Sequence, residues 1–200
     1  MDVVDVLAGR RAVKTVQMNA AEMEERIGRF SDLEPLMVLQ DEDVPLEAKD
    51  LVYARKVMPI VSPKGMVGPL VGNAPIQEGD FTLICTVCPP GQGPGLHTHH
   101  RTTETFTCLD GRFKVYWGEE GEHETVLERY DTVSVPPGVC RGFTNVGENE
   151  GILQVLITGG VHNMDDIAFR PAMADALAAF GPEVLETFED VGFKFDAGVA

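Results

Sequence analysis

The chain has 200 residues, of which 44% are hydrophobic and 24% charged, and this length and composition suit one well-buried globular domain. Its formal net charge of −16 at pH 7 leaves no basic surface to neutralise nucleic-acid phosphates or to bind an anionic membrane. The N-terminus is acidic and lacks the pattern of a secretion signal, and no apolar run is long enough to cross a bilayer. We therefore expect a cytoplasmic protein that binds neither nucleic acid nor membrane.

The first fifty residues have helical character. Asn19 can cap a helix while Glu22, three residues later, reaches back to it, and apolar residues follow at helical spacing. An acidic stretch that ends at Pro45 interrupts this pattern before a second short helical segment. The sequence therefore predicts an N-terminal helical extension over residues 1–50.

Short apolar runs separated by glycine and proline dominate residues 51–160. The predicted strands cover residues 51–61, 81–87, 105–109, 112–117, 124–128, 132–135, 139–144 and 152–158. Many short strands with regular turn signals are typical of an antiparallel sandwich or barrel. Residues 161–200 are expected to form a helical segment that packs on this barrel, with one helix starting at Pro171 and another at Pro182.

Cys85 and Cys88 have the C-x-x-C spacing of some zinc and redox sites, but they fall on a predicted strand. Residues three apart on a strand face opposite ways. We therefore expect buried, reduced thiols here rather than a metal or redox pair.

Three of the five histidines lie within four positions, at His97, His99 and His100. On a strand, His97 and His99 share one face, and Glu104 can reach them after a tight turn. Two neutral imidazoles and a carboxylate form a ligand set suited to a divalent transition metal. His100 should point away from this set, and His162 is a weaker candidate for the same site.

The spacing around these residues resembles the first motif of the cupin superfamily at every position. Gly91, five residues, His97-x-His99, four residues, Glu104, six residues and Gly111 follow one another. The resemblance covers roughly residues 51–160 and implies a mainly β fold, the double-stranded β-helix or jelly roll, and often a homodimer. It also implies that His97, His99 and Glu104 are metal ligands at one mouth of the barrel.

The second cupin motif is matched only in part. Pro136-Pro137-Gly138 and Asn145 are in place, whereas Tyr130 replaces the leading glycine and Arg141 replaces the metal-binding histidine. Cupins include dioxygenases, decarboxylases, isomerases, epimerases and metal-free binding proteins, so the resemblance predicts the fold and leaves the reaction open.

Arg141 cannot ligate a metal, because a guanidinium has no lone pair to offer and does not deprotonate. In one arrangement it turns toward an anionic substrate beside a metal that three ligands hold. In another it pairs with Glu104 and leaves the barrel without metal. A packing role for the arginine stem is the third interpretation. We adopt the first arrangement as the prediction.

Strand alternation also suggests a pocket. Phe106 and Cys108 share the face of Glu104, and Phe143 shares that of Arg141. Together they are expected to line a mostly apolar substrate pocket, with ordinary barrel filling as their alternative role.

The sequence thus predicts a metal-dependent enzyme that acts on a small anionic, enolisable or phenolic compound. Fe(II) is the favoured metal because two histidines and a carboxylate form the facial set of non-haem oxygenases, and Mn, Zn and Ni are alternatives. Arg141 and Glu104 are the candidate catalytic residues. A dioxygenase reaction is the preferred prediction, and Lewis-acid isomerisation, decarboxylation and metal-free ligand binding are the alternative functions.

Overall fold

The structure, a computed structural model, describes residues 15–36, 42–66, 74–160 and 164–199. The strands are β1 (Lys56–Ser62), β2 (Ile76–Gln77), β3 (Phe81–Cys88), β4 (His97–His99), β5 (Thr103–Asp110), β6 (Phe113–Trp117), β7 (His123–Leu127), β8 (Thr132–Val135), β9 (Arg141–Asn145), β10 (Gly151–Thr158) and β11 (Ile167–Phe169). The helices are α1 (Ala20–Glu24), α2 (Leu46–Val52), α3 (Pro171–Ala178) and α4 (Pro182–Val191), with single 3-10 turns at Phe30–Asp32 and Met164–Asp166.

These strands form two sheets. One has the order β2-β1-β3-β10-β5-β8 and the other the order β11-β4-β9-β6-β7. All pairings are antiparallel except that of β1 with β2. The predicted mainly β jelly roll is therefore confirmed.

The core lies between the two sheets, where inward residues alternate with outward ones along each strand. Phe106, Phe113, Phe143 and Leu153 are buried there. Apolar burial of this kind is worth about 1.5–3 kcal/mol for each large side chain. The barrel is thus stabilised by its interior rather than by the polar residues at its mouth.

The two cysteines of the C-x-x-C sequence face opposite sides of β3, as predicted. Cys88 belongs to the main core, and Cys85 packs with Met58 and Val87 in a smaller cluster. Both are free thiols. Burial raises the pKa of Cys88 to about 12, so this thiol stays protonated.

The helical flanks differ from the prediction in extent. The capping box at Asn19 and Glu22 is present, but α1 covers only Ala20–Glu24. The strand expected from residue 51 begins later, because α2 continues to Val52 and buries Ala48 and Val52, four residues apart, on one face. After residue 160 the chain adds β11 to the second sheet before α3 and α4.

The domain boundaries at residues 50 and 160 remain a prediction. Within the four described ranges, no helix combines the length and apolar character that a transmembrane span requires.

The register of the strands places the candidate site where the two sheets meet. His97 pairs with Arg141 across β4 and β9 in one sheet, and Glu104 lies on β5 in the other. The short connection from β4 to β5 carries the chain from one sheet to the other. Two motif glycines, Gly91 and Gly111, have φ of 78° and 83°, where other L-residues are strained.

Candidate metal centre

His97 and His99 both point from β4 toward Glu104. Their Nε2 atoms lie 3.8 and 3.9 Å from Oε2 of Glu104, and their ring centroids are 5.6 Å apart. All three side chains are buried. The shared face expected from strand alternation is therefore present. His100 is exposed, as predicted, and His162 lies outside the described residues.

Hydrogen bonds at Nδ1 determine the tautomer of both histidines. Nδ1 of His97 lies 2.8 Å from the carbonyl oxygen of Gly95, which can only accept, so Nδ1 carries the proton. Nδ1 of His99 lies 2.9 Å from Oγ1 of Thr102. The Thr102 hydroxyl donates to Asp166 at 2.5 Å and so accepts from His99. In the neutral form of each ring, Nε2 is therefore the nitrogen that keeps the lone pair a metal requires.

Asp166 completes this chain of contacts from the 3-10 turn that precedes β11. Its carboxylate also accepts from the backbone N–H of Arg101 at 2.7 Å. Burial alone would raise the pKa of Asp166, but the hydrogen bonds from His99 and Thr102 outweigh it and hold the pKa well below its usual range. Asp166 is thus an ionised acceptor that orients His99 through Thr102.

His99 is held neutral, the form in which imidazole binds metals. Burial lowers the pKa of His99, and this effect outweighs the attraction of the Glu104 carboxylate.

The three ligand atoms fit a metal ion in spacing as well as in chemistry. They all lie within 4.8 Å of one another. Ligand atoms bound facially to one ion at ~2.1 Å lie roughly 3.0 Å apart, so each of the three would move inward by less than about 1 Å to bind it. The described residues therefore contain a His-His-Glu cluster able to hold a divalent metal.

Arg141 pairs with Glu104, which is the second of the two arrangements considered from the sequence. Its Nε and Nη2 atoms lie 2.9 and 2.8 Å from Oε2, and Nη1 donates to the carbonyl of Val139 at 3.3 Å. The preferred arrangement, with the guanidinium turned toward the substrate, is not present. The reason is that Arg141 is fully buried, and a buried guanidinium needs a carboxylate partner.

The ion pair with Arg141 keeps Glu104 in its ionised form. Burial alone would raise the pKa of Glu104, but the positive charge of Arg141 outweighs it, and the net pKa lies well below its usual range. Glu104 is therefore ionised, with both Arg141 contacts on Oε2.

A cavity of about 90 Å³ opens beside the cluster, and His97, His99 and Glu104 line it together with Phe143. Phe106 and Cys108, also predicted to line the pocket, lie in the core instead. Each step of two residues along β5 moves about 6.6 Å down the barrel, so Cys108 is far from the mouth. Its sulfur lies 3.4 Å from the carbonyl oxygen of Gly111.

Three residues of the site were not predicted. Thr102 and Asp166 orient His99, and Tyr53 lines the cavity from the end of α2. Asp166 is 64 residues from Thr102 in sequence, so no local pattern links them. Tyr53 lies outside both cupin motifs.

A family model described as a cupin domain matches residues 85–157. No curated protein matches the chain in sequence.

Three solved structures illustrate the similarity of the barrel. A structure of DMSP lyases is 17% identical to this chain with a TM-score of 0.43, and the match covers 54% of this chain and 49% of the other. The cupin domain of Cnp3 from Schizosaccharomyces pombe is 17% identical with a TM-score of 0.38, and the match covers 42% of this chain and 58% of that domain. An oxalate oxidase in complex with glycolate is 20% identical with a TM-score of 0.40, and the match covers 56% of this chain and 62% of the oxidase.

The matched part thus spans less than two thirds of each of these three proteins. The family match falls on β3 to β10, and the two sheets and the complete first motif agree with it. This match and the jelly-roll fold together support a cupin domain over residues 85–157.

Proposed function

We propose that the chain is a metal-dependent enzyme that acts on a small organic anion in the cavity beside His97, His99 and Glu104. The observation that carries this proposal is the pair of Nδ1 hydrogen bonds, which leave both Nε2 lone pairs directed toward the Glu104 carboxylate. A histidine-rich barrel mouth without a ligand role would not require both tautomers to be the same.

His97, His99 and Glu104 would hold the ion, with Fe(II) favoured and Mn, Zn and Ni as alternatives. When bound, the ion would supply Lewis acidity or a redox centre. The facial ligand set favours oxygenation, and Lewis-acid isomerisation or decarboxylation is the next choice. We also retain the homodimer as a prediction from the family.

Charge supports an anionic substrate. Arg141 cancels the charge of Glu104, so a divalent ion would give the site a net charge of about +2 rather than about +1. This additional unit of positive charge favours an anion over a neutral molecule in the cavity. Arg141 is not among the residues that line the cavity, so it would act by positioning and neutralising Glu104 rather than by touching the substrate.

The volume of the cavity indicates the size of the substrate. The cavity holds about 90 Å³, whereas an apolar cavity known to bind benzene measures ~150 Å³. A carboxylate or enolate of roughly four to six non-hydrogen atoms fits this volume.

The proposal is tested by measuring the metal content of protein purified without a metal-chelating column and then reconstituted anaerobically with Fe(II), Mn(II) or Zn(II). We expect one ion per chain. His97→Ala is the control and should lose the ion while keeping its circular dichroism spectrum, because the core is apolar. Wild-type protein that gains no ion above background would contradict the proposal. Oxygen consumption with small acids then tests the reaction.

A second candidate function is metal-free binding of a small ligand. The buried pair between Arg141 and Glu104 favours it, because this pair already satisfies the charge that a metal would otherwise neutralise. The same metal analysis distinguishes the two candidates.

A further inference from the structure

The wall of the cavity next to Glu104 is built from apolar side chains on neighbouring strands. Ile157 pairs with Glu104 across β10 and β5. Two residues earlier on β10, Val155 pairs with Ile84 of β3. Because residues two apart on a strand share a face, these side chains point into the barrel as Glu104 does. All of them line the cavity, and Val57 of β1 lines it with them. A ligand whose charged end lies at Glu104 therefore has hydrocarbon beside it.

The elements that cover the mouth of the barrel add further apolar surface. Ile167 and Phe169 of β11 line the cavity, as does Phe193 after the end of α4. The rings of Phe169 and Phe193 pack edge to face with their centroids 5.4 Å apart, and the Phe169 ring lies 5.3 Å from that of His97. Apolar side chains from both sheets and from the C-terminal segment thus surround the His-His-Glu cluster.

The described lining offers little to a polar group that lies away from the cluster. Among its described residues, only Tyr53 and Thr86 carry other polar side-chain atoms. The hydroxyl of Tyr53 has almost no accessible surface, so the ring is the part of this residue that a ligand can meet. The hydroxyl of Thr86 already donates to the carbonyl of Leu153 at 3.0 Å. A hydroxyl, oxo or ammonium group on this part of a ligand would therefore lose most of its hydrogen bonds to water without replacement.

We infer that the substrate is a short aliphatic carboxylate of about three to four carbons with no second polar group. Its carboxylate would lie at the His-His-Glu cluster, which rests on the proposed function, and its carbon chain would lie against Val57, Ile84 and Val155. Each CH₂ group buried there should strengthen binding about fourfold. A polar group in the same place should weaken binding about 5- to 150-fold. The apolar wall thus determines specificity, because it disfavours hydroxy, oxo and amino acids of the same size.

Butyrate, 3-hydroxypropionate and β-alanine test this inference, because they have the same number of non-hydrogen atoms and differ only in a terminal methyl, hydroxyl or ammonium group. Calorimetric titration gives their affinities for the wild type loaded with Mn(II) and for the wild type in EDTA. With Mn(II), we expect butyrate to bind about 5- to 150-fold more tightly than 3-hydroxypropionate, and β-alanine to bind more weakly than either. Coordination of the metal by the hydroxyl would favour 3-hydroxypropionate, so it cannot produce this order.

Ile84→Ala tests where the carbon chain lies. This substitution removes hydrocarbon from the wall, so the affinity for hexanoate relative to butyrate should rise about 4- to 15-fold, the equivalent of one or two additional buried CH₂ groups. Leu127→Ala is the matched control, because Leu127 is buried in the core and is not among the residues that line the cavity. Its ratio should equal that of the wild type. The three wild-type titrations test the inference even if Ile84→Ala does not fold.

Three results would overturn the inference: 3-hydroxypropionate or β-alanine binding as tightly as butyrate, an unchanged hexanoate ratio in folded Ile84→Ala, or no binding of these acids in either condition. Butyrate that is preferred and binds equally tightly in EDTA would contradict the proposed metal function and leave the aliphatic chain against this wall. Metal-dependent binding without a preference for butyrate would support the proposed function and refute the inference.

Discussion

Replacing Arg141 with histidine should convert a weak metal site into a tight one. Nη2 of Arg141 lies 2.8 Å from Oε2 of Glu104, and an ion one bond of ~2.1 Å beyond that oxygen would be roughly 5 Å or less from the guanidinium. An ion with Glu104 carries about +1, so its repulsion by Arg141 is about 3 kcal/mol at an effective dielectric constant near 20, or roughly a hundredfold in affinity. Histidine removes this repulsion and adds a fourth ligand.

Without metal, the same substitution should destabilise the protein. Glu104 would be left as an unpaired buried carboxylate, which costs about 3–5 kcal/mol. Metal should then restore stability by linkage, by about 2.7 kcal/mol when its concentration is 100 times Kd. The variant is therefore expected to depend on metal for folding far more than the wild type does.

The assay is metal titration by calorimetry, with thermal unfolding in EDTA and in metal, for the wild type, Arg141→His and Arg141→Leu. Leucine removes the charge without adding a ligand, so it should gain about a hundredfold in affinity while histidine gains more. If neither variant binds metal more tightly than the wild type, Arg141 does not repel the ion, and the electrostatic reasoning is wrong.

Two further predictions concern residues near the site. Thr102→Val should weaken metal binding about 10- to 100-fold by breaking the contact that orients His99, whereas Thr102→Ser should not; equal affinity in calorimetry for both would refute this role. Tyr130 has φ of 75°, where a residue with a Cβ is strained. The free energy of unfolding, measured by denaturant titration, should therefore be about 1–2 kcal/mol higher for Tyr130→Gly than for Tyr130→Val. The reverse order would show that the backbone is not strained there.

The parts of the structure that follow from local sequence were predictable. The alternation of β4 and β5 placed His97, His99 and Glu104 together, because these residues are separated by only one short turn. Alternation along β9 likewise placed Arg141 inside the barrel. It could not choose the direction of the guanidinium, since that depends on which buried carboxylate is within reach.

The parts that depend on distant contacts were not predictable. Tyr53 directly follows α2, a short helix whose apolar residues fit a strand equally well in sequence. Asp166 reaches His99 across the turn before β11, both through Thr102 and by a direct approach of 3.4 Å. Phe106 and Cys108 were assigned to the correct face but to the wrong depth, because parity along a strand gives the face of a side chain and not its distance from the mouth.

The central claim is that two imidazole Nε2 atoms face a common cation, and ¹⁵N spectra of the histidine side chains before and after addition of Zn(II) test it most directly. We predict that His97 and His99 both carry their proton on Nδ1 in the metal-free protein and that only their Nε2 signals shift when Zn(II) is added. Protons on Nε2, or Nε2 signals that Zn(II) leaves in place, would contradict the account.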